Sequence, residues 1–307
     1  MKKAIITGPT GSIGIALINK LISENIEVVA VCRPGSKRIS RIPQPDKVQI
    51  TECGLDEISK LGDMINGGAD VFYHFAWDGT FGNSRNDMRL QNNNVKYALD
   101  AVTVAKELGC SKFIGAGSQA EYGRVEGVLR PDTPAFPENG YGIAKLCAGQ
   151  MTRIMCEQLG IEHVWTRILS IYGPYDGENT MIMSVISKLL KGEKPSLTPG
   201  GQMWDYLYSK DVANAFYLLG EKGKNGSIYC LGGGEARPLK EYVEILKDAI
   251  DEKLELGFGD VPYGDKQVMH LCADITNLTE DTGFRPEVRF EDGIRETIEW
   301  VKNGGWK

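Results

Sequence analysis

A glycine-rich turn at residues 7–14 constrains the fold more than any other feature of this sequence. The apolar run Ala4-Ile5-Ile6 leads directly into Thr7-Gly8-Pro9-Thr10-Gly11-Ser12-Ile13-Gly14, where a helical pattern begins. One glycine would permit a tight turn, one would let the backbone approach a pyrophosphate, and one would let helix and sheet pack closely. The pattern predicts a strand–turn–helix unit that binds a dinucleotide. Its predicted binding residues are Gly8, Thr10, Gly11, Ser12, Ile13 and Gly14.

Short apolar runs alternate with helical patterns through the first half of the chain. Each run is continuous rather than alternating, which is typical of strands buried on both faces of a parallel sheet. Strand followed by helix, repeated, predicts an α/β fold with a doubly wound Rossmann sheet. The predicted strands are residues 3–7, 27–32, 48–51, 71–76, 112–116 and 163–170, and the predicted helices are 13–24, 55–65, 94–108 and 142–159.

The regularity weakens after Gly173-Pro174. Helices are predicted at 181–191, 211–219, 239–254 and 291–303, and a strand at 227–231. We therefore expect a dinucleotide-binding Rossmann domain over residues 1–173. Residues 174–307 are expected to form mostly a small C-terminal substrate-binding lobe, with 205–232 returning to the Rossmann sheet.

Composition and charge limit the kinds of partner that this chain is expected to bind. The formal charge of −6 and the pI of about 5.3 argue against a nucleic-acid partner. No apolar run approaches a membrane span, and the N-terminal run is too short for a signal sequence. The seven cysteines form no C-x-x-C pair, and the three histidines lack metal-ligand spacing. We expect a cytoplasmic protein with reduced thiols, no metal and no membrane partner.

The segment after the second predicted strand bears on the choice of nicotinamide cofactor. NAD sites usually place Asp or Glu at the end of this strand, but Cys32 stands there instead. Arg33, Ser36 and Arg38 would suit a 2′-phosphate, because guanidinium groups bind phosphate bidentately. This favours NADP over NAD, the other reading being a solvated basic loop.

Tyr141 and Lys145 form the predicted chemical centre. They are one helical turn apart, so they share a face at the start of the fourth predicted helix. A nearby ammonium favours the phenolate form of a tyrosine, and the pair can then move a proton while a hydride passes to or from nicotinamide. Ser118 follows the fifth predicted strand, where its hydroxyl could bond the same substrate oxygen.

Seven stretches of sequence carry a resemblance to a known family. They are Thr7-Gly8-x-x-Gly11-x-x-Gly14, His74-Phe75-Ala76, Asn94-Val95, Ser118-x-x-x-Tyr122-Gly123, Tyr141-x-x-x-Lys145, Arg167-x-x-x-x-Tyr172-Gly173-Pro174 and Trp204-Asp205-Tyr206-x-Tyr208-x-x-Asp211. The chain resembles the extended short-chain dehydrogenase/reductases, the NAD-dependent epimerase/dehydratase family. This resemblance covers most of the chain.

The resemblance implies roles for individual residues. Tyr141 would be the acid/base, Lys145 would also hold the nicotinamide ribose, and Ser118 would orient a sugar hydroxyl or ketone. Leu55 would pack on adenine, and Ala76 and Trp77 would border the nicotinamide side of the cleft, although a core role for Trp77 is equally open. Members act mostly on nucleotide-diphosphate sugars and often form homodimers through the helices matching 94–108 and 142–159. Apart from the resemblance, Arg85 and Arg89 could reach a phosphate, but a solvated face is the expectation for both.

Departures from the family narrow the chemistry. Sugar-nucleotide 4,6-dehydratases carry an Asp-Glu pair where this chain has Gln119 and Ala120, so dehydration is disfavoured. Fucose-synthase-like members use a Cys and a His where Ala120 and Tyr175 stand here. In the substrate lobe Trp204 replaces an arginine that commonly touches the diphosphate, and Ser170 replaces an asparagine. Gln119, Ser170 and Trp204 are still expected to face the substrate, with simple packing the alternative for Trp204.

Two activities and one remote alternative remain. The basic loop favours an NADPH-dependent reduction of a nucleotide-linked 4-keto-6-deoxyhexose. The alternative is an NAD-dependent nucleotide-sugar 4-epimerase, which uses the same Ser118, Tyr141 and Lys145. A non-catalytic cofactor-sensing protein is the remote alternative, because such proteins typically lose the tyrosine, the lysine or the glycines that this chain retains.

Overall fold

Strands and helices alternate along the chain in the computed structural model, which describes residues 1–43 and 45–306. The strands are β1 (Lys3–Thr7), β2 (Glu27–Cys32), β3 (Val48–Glu52), β4 (Val71–His74), β5 (Lys112–Ser118), β6 (Glu162–Ile168), β7 (Ser170–Tyr172), β8 (Ser196–Leu197), β9 (Met203–Trp204), β10 (Tyr206–Tyr208), β11 (Ser227–Leu231), β12 (Arg237–Pro238), β13 (Gly257–Phe258) and β14 (His270–Leu271). The α-helices are α1 (Ser12–Ser23), α2 (Leu61–Met64), α3 (Met88–Glu107), α4 (Gly140–Leu159), α5 (Met181–Leu190), α6 (Ser209–Lys222), α7 (Leu239–Ile250), α8 (Thr276–Thr282) and α9 (Phe290–Lys302). Gln44 and Lys307, which fall within the two predicted domains, lie outside the described residues.

A seven-stranded parallel sheet forms the centre of the molecule. Its strand order is β11-β6-β5-β4-β1-β2-β3, and all neighbours are parallel. The apolar runs that predicted these strands are buried on both faces, as in Ala4, Ile5 and Ile6 of β1. The order reverses between β1 and β4, so the crevice where open α/β sheets bind ligands lies between their carboxyl ends. The predicted α/β Rossmann fold is therefore confirmed.

Helices cover both faces of the sheet. Helices α1 and α6 pack on one face of the sheet through one apolar cluster. Helices α2 and α3 pack on the other face through a second cluster. A separate apolar cluster joins α5, α7 and α9 with β10 in the C-terminal part of the chain. The strand β11 forms one edge of the main sheet, whereas β7 and β10 pair with each other outside it.

Several predicted boundaries differ from those observed. The predicted strand 71–76 ends at His74, because the N–H groups of Phe75 and Ala76 turn toward Thr7 Oγ1, each at 3.2 Å. The predicted strand 163–170 stops at Ile168, and the chain continues as β7 in a different sheet.

Three helix predictions also need correction. The predicted helix 55–65 is a 3₁₀ segment, Leu55–Lys60, followed by the four-residue α2. The predicted helix 94–108 begins earlier, at Met88, because the Asp87 side chain accepts hydrogen bonds from the N–H groups of Arg89 and Leu90. The predicted helix 239–254 ends at Ile250.

Candidate active site

The three glycines of the turn between β1 and α1 face different surroundings. Gly8 has a φ of 70°, and a Cβ there would lie 2.8 Å from the backbone nitrogen of Ala76. A Cβ on Gly14 would lie 2.6 Å from the carbonyl oxygen of Gly8. A Cβ on Gly11 would meet nothing closer than that same oxygen, at 4.0 Å. The fold itself therefore requires glycine at positions 8 and 14, whereas the space beside Gly11 is open for a bound group.

A cavity of about 800 Å³ lies at the carboxyl ends of β1, β2 and β4. Its size suits a large cofactor or ligand. It brings together predicted residues from four separate segments of the chain. Those that line it are Gly8, Thr10, Arg33, Ser36, Arg38, Leu55, Ala76 and Trp77.

Ser12 offers an unsatisfied polar atom at the start of α1. Its Oγ is buried and has no hydrogen-bond partner among the described residues. Ser12 and Gly11 line a neighbouring cavity of about 480 Å³, whereas Ile13 packs against the core beneath the sheet. An oxyanion at the N-terminus of this twelve-residue helix would accept from the Ser12 hydroxyl and meet the positive end of the helix dipole. The turn thus fits a dinucleotide pyrophosphate.

The basic loop after β2 forms one wall of the larger cavity. Arg33 and Arg38 are exposed, and the Ser36 side chain accepts a hydrogen bond from the Arg38 N–H. Glu52, at the end of β3, holds the loop by accepting from the Gly35 N–H at 2.7 Å. Burial raises the pKa of the Cys32 thiol to about 11, so Cys32 remains neutral at the place of the usual acid. The loop therefore presents two guanidinium groups to one side of the cavity.

Tyr141 and Lys145 lie in the first two turns of α4. Asn139 begins this helix by accepting a hydrogen bond from the Gly142 N–H at 2.8 Å. The Lys145 ammonium donates to the Ala116 carbonyl at 2.6 Å and lies 5.8 Å from the centroid of the Tyr141 ring. Burial lowers the pKa of Lys145 to about 7. The lysine thus joins α4 to β5 and stands beside the tyrosine.

Ser118 completes the group at the end of β5. Burial raises the pKa of Tyr141, and its hydrogen bond with Ser118 acts in the opposite direction, as does the charge of Arg85. Ser118 Oγ also accepts from the Ala120 N–H at 3.2 Å. Ser118, Tyr141 and Lys145 are therefore brought together by the carboxyl end of one strand and the first turns of one helix. Such a cluster can move a proton to and from a substrate oxygen.

Glu121 faces away from this cluster. Its carboxylate is fully buried and forms an ion pair with Arg167 at 2.8 Å. It also accepts hydrogen bonds from Trp165 Nε1 at 3.0 Å and from the Ser118 N–H at 2.9 Å. Glu121 therefore fixes the backbone of Ser118 from below rather than supplying an acid to the cleft.

Trp77 borders the cluster of Ser118, Tyr141 and Lys145. The Lys145 ammonium lies 3.8 Å from the centroid of a Trp77 ring, and the Trp77 and Tyr141 rings meet edge to face at 6.3 Å. Trp77 Nε1 donates to Gln91 Oε1 at 2.8 Å, and Gln91 in turn donates to the carbonyls of Gly79 and Ser84. Gln91 was not singled out from the sequence, although a glutamine on the inward face of a helix is a recognisable feature.

The expectation that Arg85 is solvated is wrong. It is half-buried, and its guanidinium carbon lies 4.3 Å from the centroid of the Tyr141 ring. No spacing rule pointed to this contact, because Arg85 lies in a 3₁₀ turn (Gly82–Asn86) far from Tyr141 in sequence.

The remaining predicted substrate residues form a group of their own. Trp204 Nε1 donates to Ser170 Oγ at 2.8 Å, and the Trp204 side chain packs in part against the apolar cluster around Tyr122 and Leu129. Gln119 is half-buried in the short 3₁₀ turn that follows Ser118. Trp204 thus has a packing role and a hydrogen bond to Ser170.

Two further observations concern metals and membranes. Among the described residues, no group of three or more His, Cys, Asp or Glu side chains is arranged to hold a metal ion. In the same part of the chain, none of the helices combines the length and the apolar character that crossing a membrane requires.

Comparison with known proteins identifies relatives. Residues 4–232 match the model of the NAD dependent epimerase/dehydratase family. A Methanocaldococcus jannaschii protein named "Putative UDP-glucose 4-epimerase" is 27% identical over 97% of this chain and 98% of its own length. A dTDP-glucose 4,6-dehydratase from Streptomyces niveus is 27% identical over 80% of this chain and 74% of its own. Among solved structures, the UDP-N-acetylglucosamine 4-epimerase from Methanobrevibacter ruminantium has a TM-score of 0.88 and 24% identity, and covers 99% of both chains.

Proposed function

The chain is an enzyme of the NAD dependent epimerase/dehydratase family, and from that premise we propose that it is a nucleotide-sugar 4-epimerase. The observation that carries the proposal is the cluster of Ser118, Tyr141 and Lys145 beside a dinucleotide-sized cavity. Gln119 and Ala120 stand where a 4,6-dehydratase needs its acid and base. The similarity of the Methanocaldococcus jannaschii protein over nearly the whole chain supports epimerisation over the reductase that the basic loop favours.

Each residue of the cluster has a defined task in this reaction. Tyr141 Oη removes the proton of the sugar 4-hydroxyl, and the Ser118 hydroxyl holds the same oxygen. The Lys145 ammonium, beside the ring, favours the phenolate that accepts this proton. Bound NAD supplies a hydride acceptor and donor at the sugar C4. After the 4-ketosugar turns its other face toward the cofactor, Tyr141 returns the proton to the oxygen.

A specific observation supports a second candidate. Arg33, Ser36 and Arg38 line the cavity, and neutral Cys32 stands at the place of the acid that bonds an NAD ribose. These features favour NADPH, which a 4-ketosugar reductase would consume and exchange at each turnover. The two candidates share the catalytic cluster, so cofactor exchange separates them.

The proposal includes a homodimer. Ile143, Cys147, Met151 and Ile154 are all exposed and follow one another at helical spacing along α4. Such an apolar stripe on a helix is typical of a surface that another chain covers. Because α3 packs beside α4, the two helices of each protomer would form the contact.

The first experiment incubates the purified protein with UDP-glucose, UDP-N-acetylglucosamine and dTDP-glucose separately, and measures the appearance of each 4-epimer. We expect turnover without net cofactor consumption and NAD that remains bound through purification. Tyr141→Phe is expected to lower turnover by roughly 10²–10⁴-fold, because the general acid–base contribution is lost. Cofactor binding should be retained in this variant. Tyr217→Phe, on the surface of α6, is the matched control and should retain full turnover.

Stoichiometric oxidation of NADPH with a 4-ketosugar, and no epimer formation, would replace the epimerase by the reductase. Retention of full activity by Tyr141→Phe would refute both, because each assigns the proton transfer to that hydroxyl. A protein that binds the cofactor but turns over none of the nucleotide sugars would leave the non-catalytic cofactor-sensing alternative.

A further inference from the structure

Arg85 places a permanent positive charge against the face of Tyr141. Its guanidinium carbon is 4.3 Å from the ring centroid. One of its nitrogens, Nη1, donates to the Thr80 carbonyl at 3.1 Å, which fixes the side chain within its own loop. Within residues 1–43 and 45–306, no carboxylate lies at ion-pair distance from Arg85. The charge is therefore not neutralised by a neighbouring acid and acts on the tyrosine.

The other charges that face Tyr141 come from two elements. Lys145, on α4 itself, lies at 5.8 Å from the ring centroid, and its ammonium already donates to the Ala116 carbonyl. Glu121, behind β5, is a buried carboxylate whose charge opposes the phenolate, although Arg167 compensates it. Arg85 is thus closer to the tyrosine ring than the lysine that usually has the electrostatic role.

We propose that Arg85 is a positioning residue that stabilises the phenolate of Tyr141 and acts as a second cation beside Lys145. The proposal deepens the proposed function, since a stabilised phenolate is the base that removes the 4-hydroxyl proton. An opposite charge within about 4–6 Å shifts the titration of an acid by roughly one to three units toward its charged form. A guanidinium keeps its charge throughout the working range of an enzyme.

If Lys145 were the only cation beside Tyr141, the positive charge there would vary with pH. Burial lowers the pKa of Lys145 to about 7, so its positive charge decreases as the pH rises above neutrality. Arg85 has no such transition, and it keeps one cation beside Tyr141 as the pH rises. The arrangement explains why a half-buried arginine is held by a backbone carbonyl rather than by a carboxylate, which would cancel its charge.

The test is a direct titration of Tyr141 in the full-length protein, freed of nucleotide. Ultraviolet absorbance reports phenolate formation summed over those of the 12 tyrosines that ionise, and subtraction of the Tyr141→Phe curve isolates the contribution of Tyr141. In Arg85→Gln we expect the apparent pKa of Tyr141 to rise by about one unit. The low-pH limb of the turnover profile should move by the same amount. Arg89→Gln, an exposed position in the first turn of α3, is the matched control and should change neither.

The Arg85→Lys variant distinguishes the effect of the positive charge from the effect of the planar guanidinium shape. It keeps a cation near the ring but cannot reproduce the planar contact, so the pKa of Tyr141 should lie between those of the wild type and Arg85→Gln. A Lys variant that titrates like the Gln variant would overturn the proposal and assign Arg85 to holding its loop. Far-ultraviolet circular dichroism of all variants confirms that the fold is retained.

Two other results would also overturn the proposal. One is an unchanged pKa of Tyr141 in Arg85→Gln. The other is a raised KM with unchanged kcat and unchanged titration, which would make Arg85 a substrate-binding residue. Because the titration needs no substrate, it distinguishes this inference from the proposed function. A shifted pKa in a protein without epimerase activity would retain the role of Arg85 and reject the activity.

Discussion

At the scale of single residues, Gly11 and Gly14 show how the same amino acid serves the fold and the ligand differently. Gly14 lies in α1, with its Cα hydrogen facing the backbone of Gly8 and Pro9, both within 2.7 Å of where a Cβ would stand. Gly11 has extended φ and ψ of −84° and 171°, which any residue adopts, and its Cβ position is free of close contacts. Only a ligand that approaches this backbone would make alanine costly there.

Alanine substitutions at these two positions should therefore affect different properties, cofactor binding at Gly11 and stability at Gly14. We expect Gly11→Ala to weaken nicotinamide dinucleotide binding at least roughly tenfold, about 1.4 kcal/mol. Its free energy of unfolding should stay within about 1 kcal/mol of the wild type, because the backbone needs no strain. Gly14→Ala should lower that free energy by about 1–3 kcal/mol through overpacking against fixed backbone atoms.

Fluorescence titration with NADH and NADPH, together with urea unfolding of each variant without nucleotide, measures both effects. Unchanged cofactor affinity in Gly11→Ala would show that the pyrophosphate does not lie against this turn. A Gly14→Ala protein as stable as the wild type would show that the turn has room to relax.

The proximity of Tyr141 and Lys145 could be inferred from sequence, but the surroundings of the pair could not. Tyr141 and Lys145 are one helical turn apart, and this local spacing determines that they share a face. The contact between Arg85 and Tyr141 depends on how a 3₁₀ turn folds back over another helix. Neither residue carries information about the other in a single sequence, so this part of the site appears only in three dimensions.

At the scale of secondary structure elements, capping and side-chain bonding set the boundaries that periodicity missed. The first turns of α3 are polar, with Arg89, Asn92 and Asn93 exposed, so no apolar pattern marks them. Asp87 is the available sequence feature, a favoured N-cap residue that satisfies two N–H groups. The early end of β4 depends on the Thr7 hydroxyl of a different strand, which no local pattern contains.

The exposed stripe on α4 leads to a prediction about assembly. Met151 and Ile154 retain 45% and 43% of their side-chain exposure, which is high for adjacent large apolar residues on one helix. Met151→Lys should weaken a dimer formed through this stripe by roughly tenfold or more, because a charge would be buried at the contact. Glu244→Lys, on the exposed side of α7, changes charge elsewhere and should leave the dimer intact.

Sedimentation equilibrium over a range of protein concentrations measures the association directly. We expect twice the 33.8 kDa mass of one chain for the wild type, and a shift toward that single mass for Met151→Lys. A wild-type protein that stays at the mass of one chain at every concentration would reject the dimer.

At the scale of the whole molecule, two aspartates attach the C-terminal part of the chain to the Rossmann sheet. Asp205 is fully buried and accepts hydrogen bonds from the N–H groups of Gly233, Gly234 and Ala273. Asp211 accepts from the N–H groups of Glu287 and Val288. The sequence identified both residues by family resemblance, but their partners are distant in the chain and could not be named from it.

The same long-range packing buries His74 and His163 in their neutral forms, so the free energy of unfolding depends on pH. His163 is buried between Phe113 and Trp165, with Thr152 Oγ1 at 2.9 Å from its Nε2, and burial lowers its pKa to about 4. Burial likewise lowers the pKa of His74 to about 3. An unfolded chain protonates its histidines near pH 6.5, about two units or more higher. Between these values the unfolded state binds more protons, so the free energy of unfolding falls as the pH falls.

Urea unfolding at pH 7 and at about pH 4.5 should show this loss, of which His163 alone accounts for about 2–3 kcal/mol. His163→Phe keeps an aromatic ring in the stack but removes the titrating group. Its difference in unfolding free energy between the two pH values should be smaller than that of the wild type by that amount. Phe113→Leu, which perturbs the same stack without removing a proton site, should lower stability equally at both pH values.

If His163→Phe and the wild type lose the same free energy on acidification, the linkage lies in other groups. The enzyme is then expected to lose stability through its carboxylates instead, at lower pH, where paired acids become protonated.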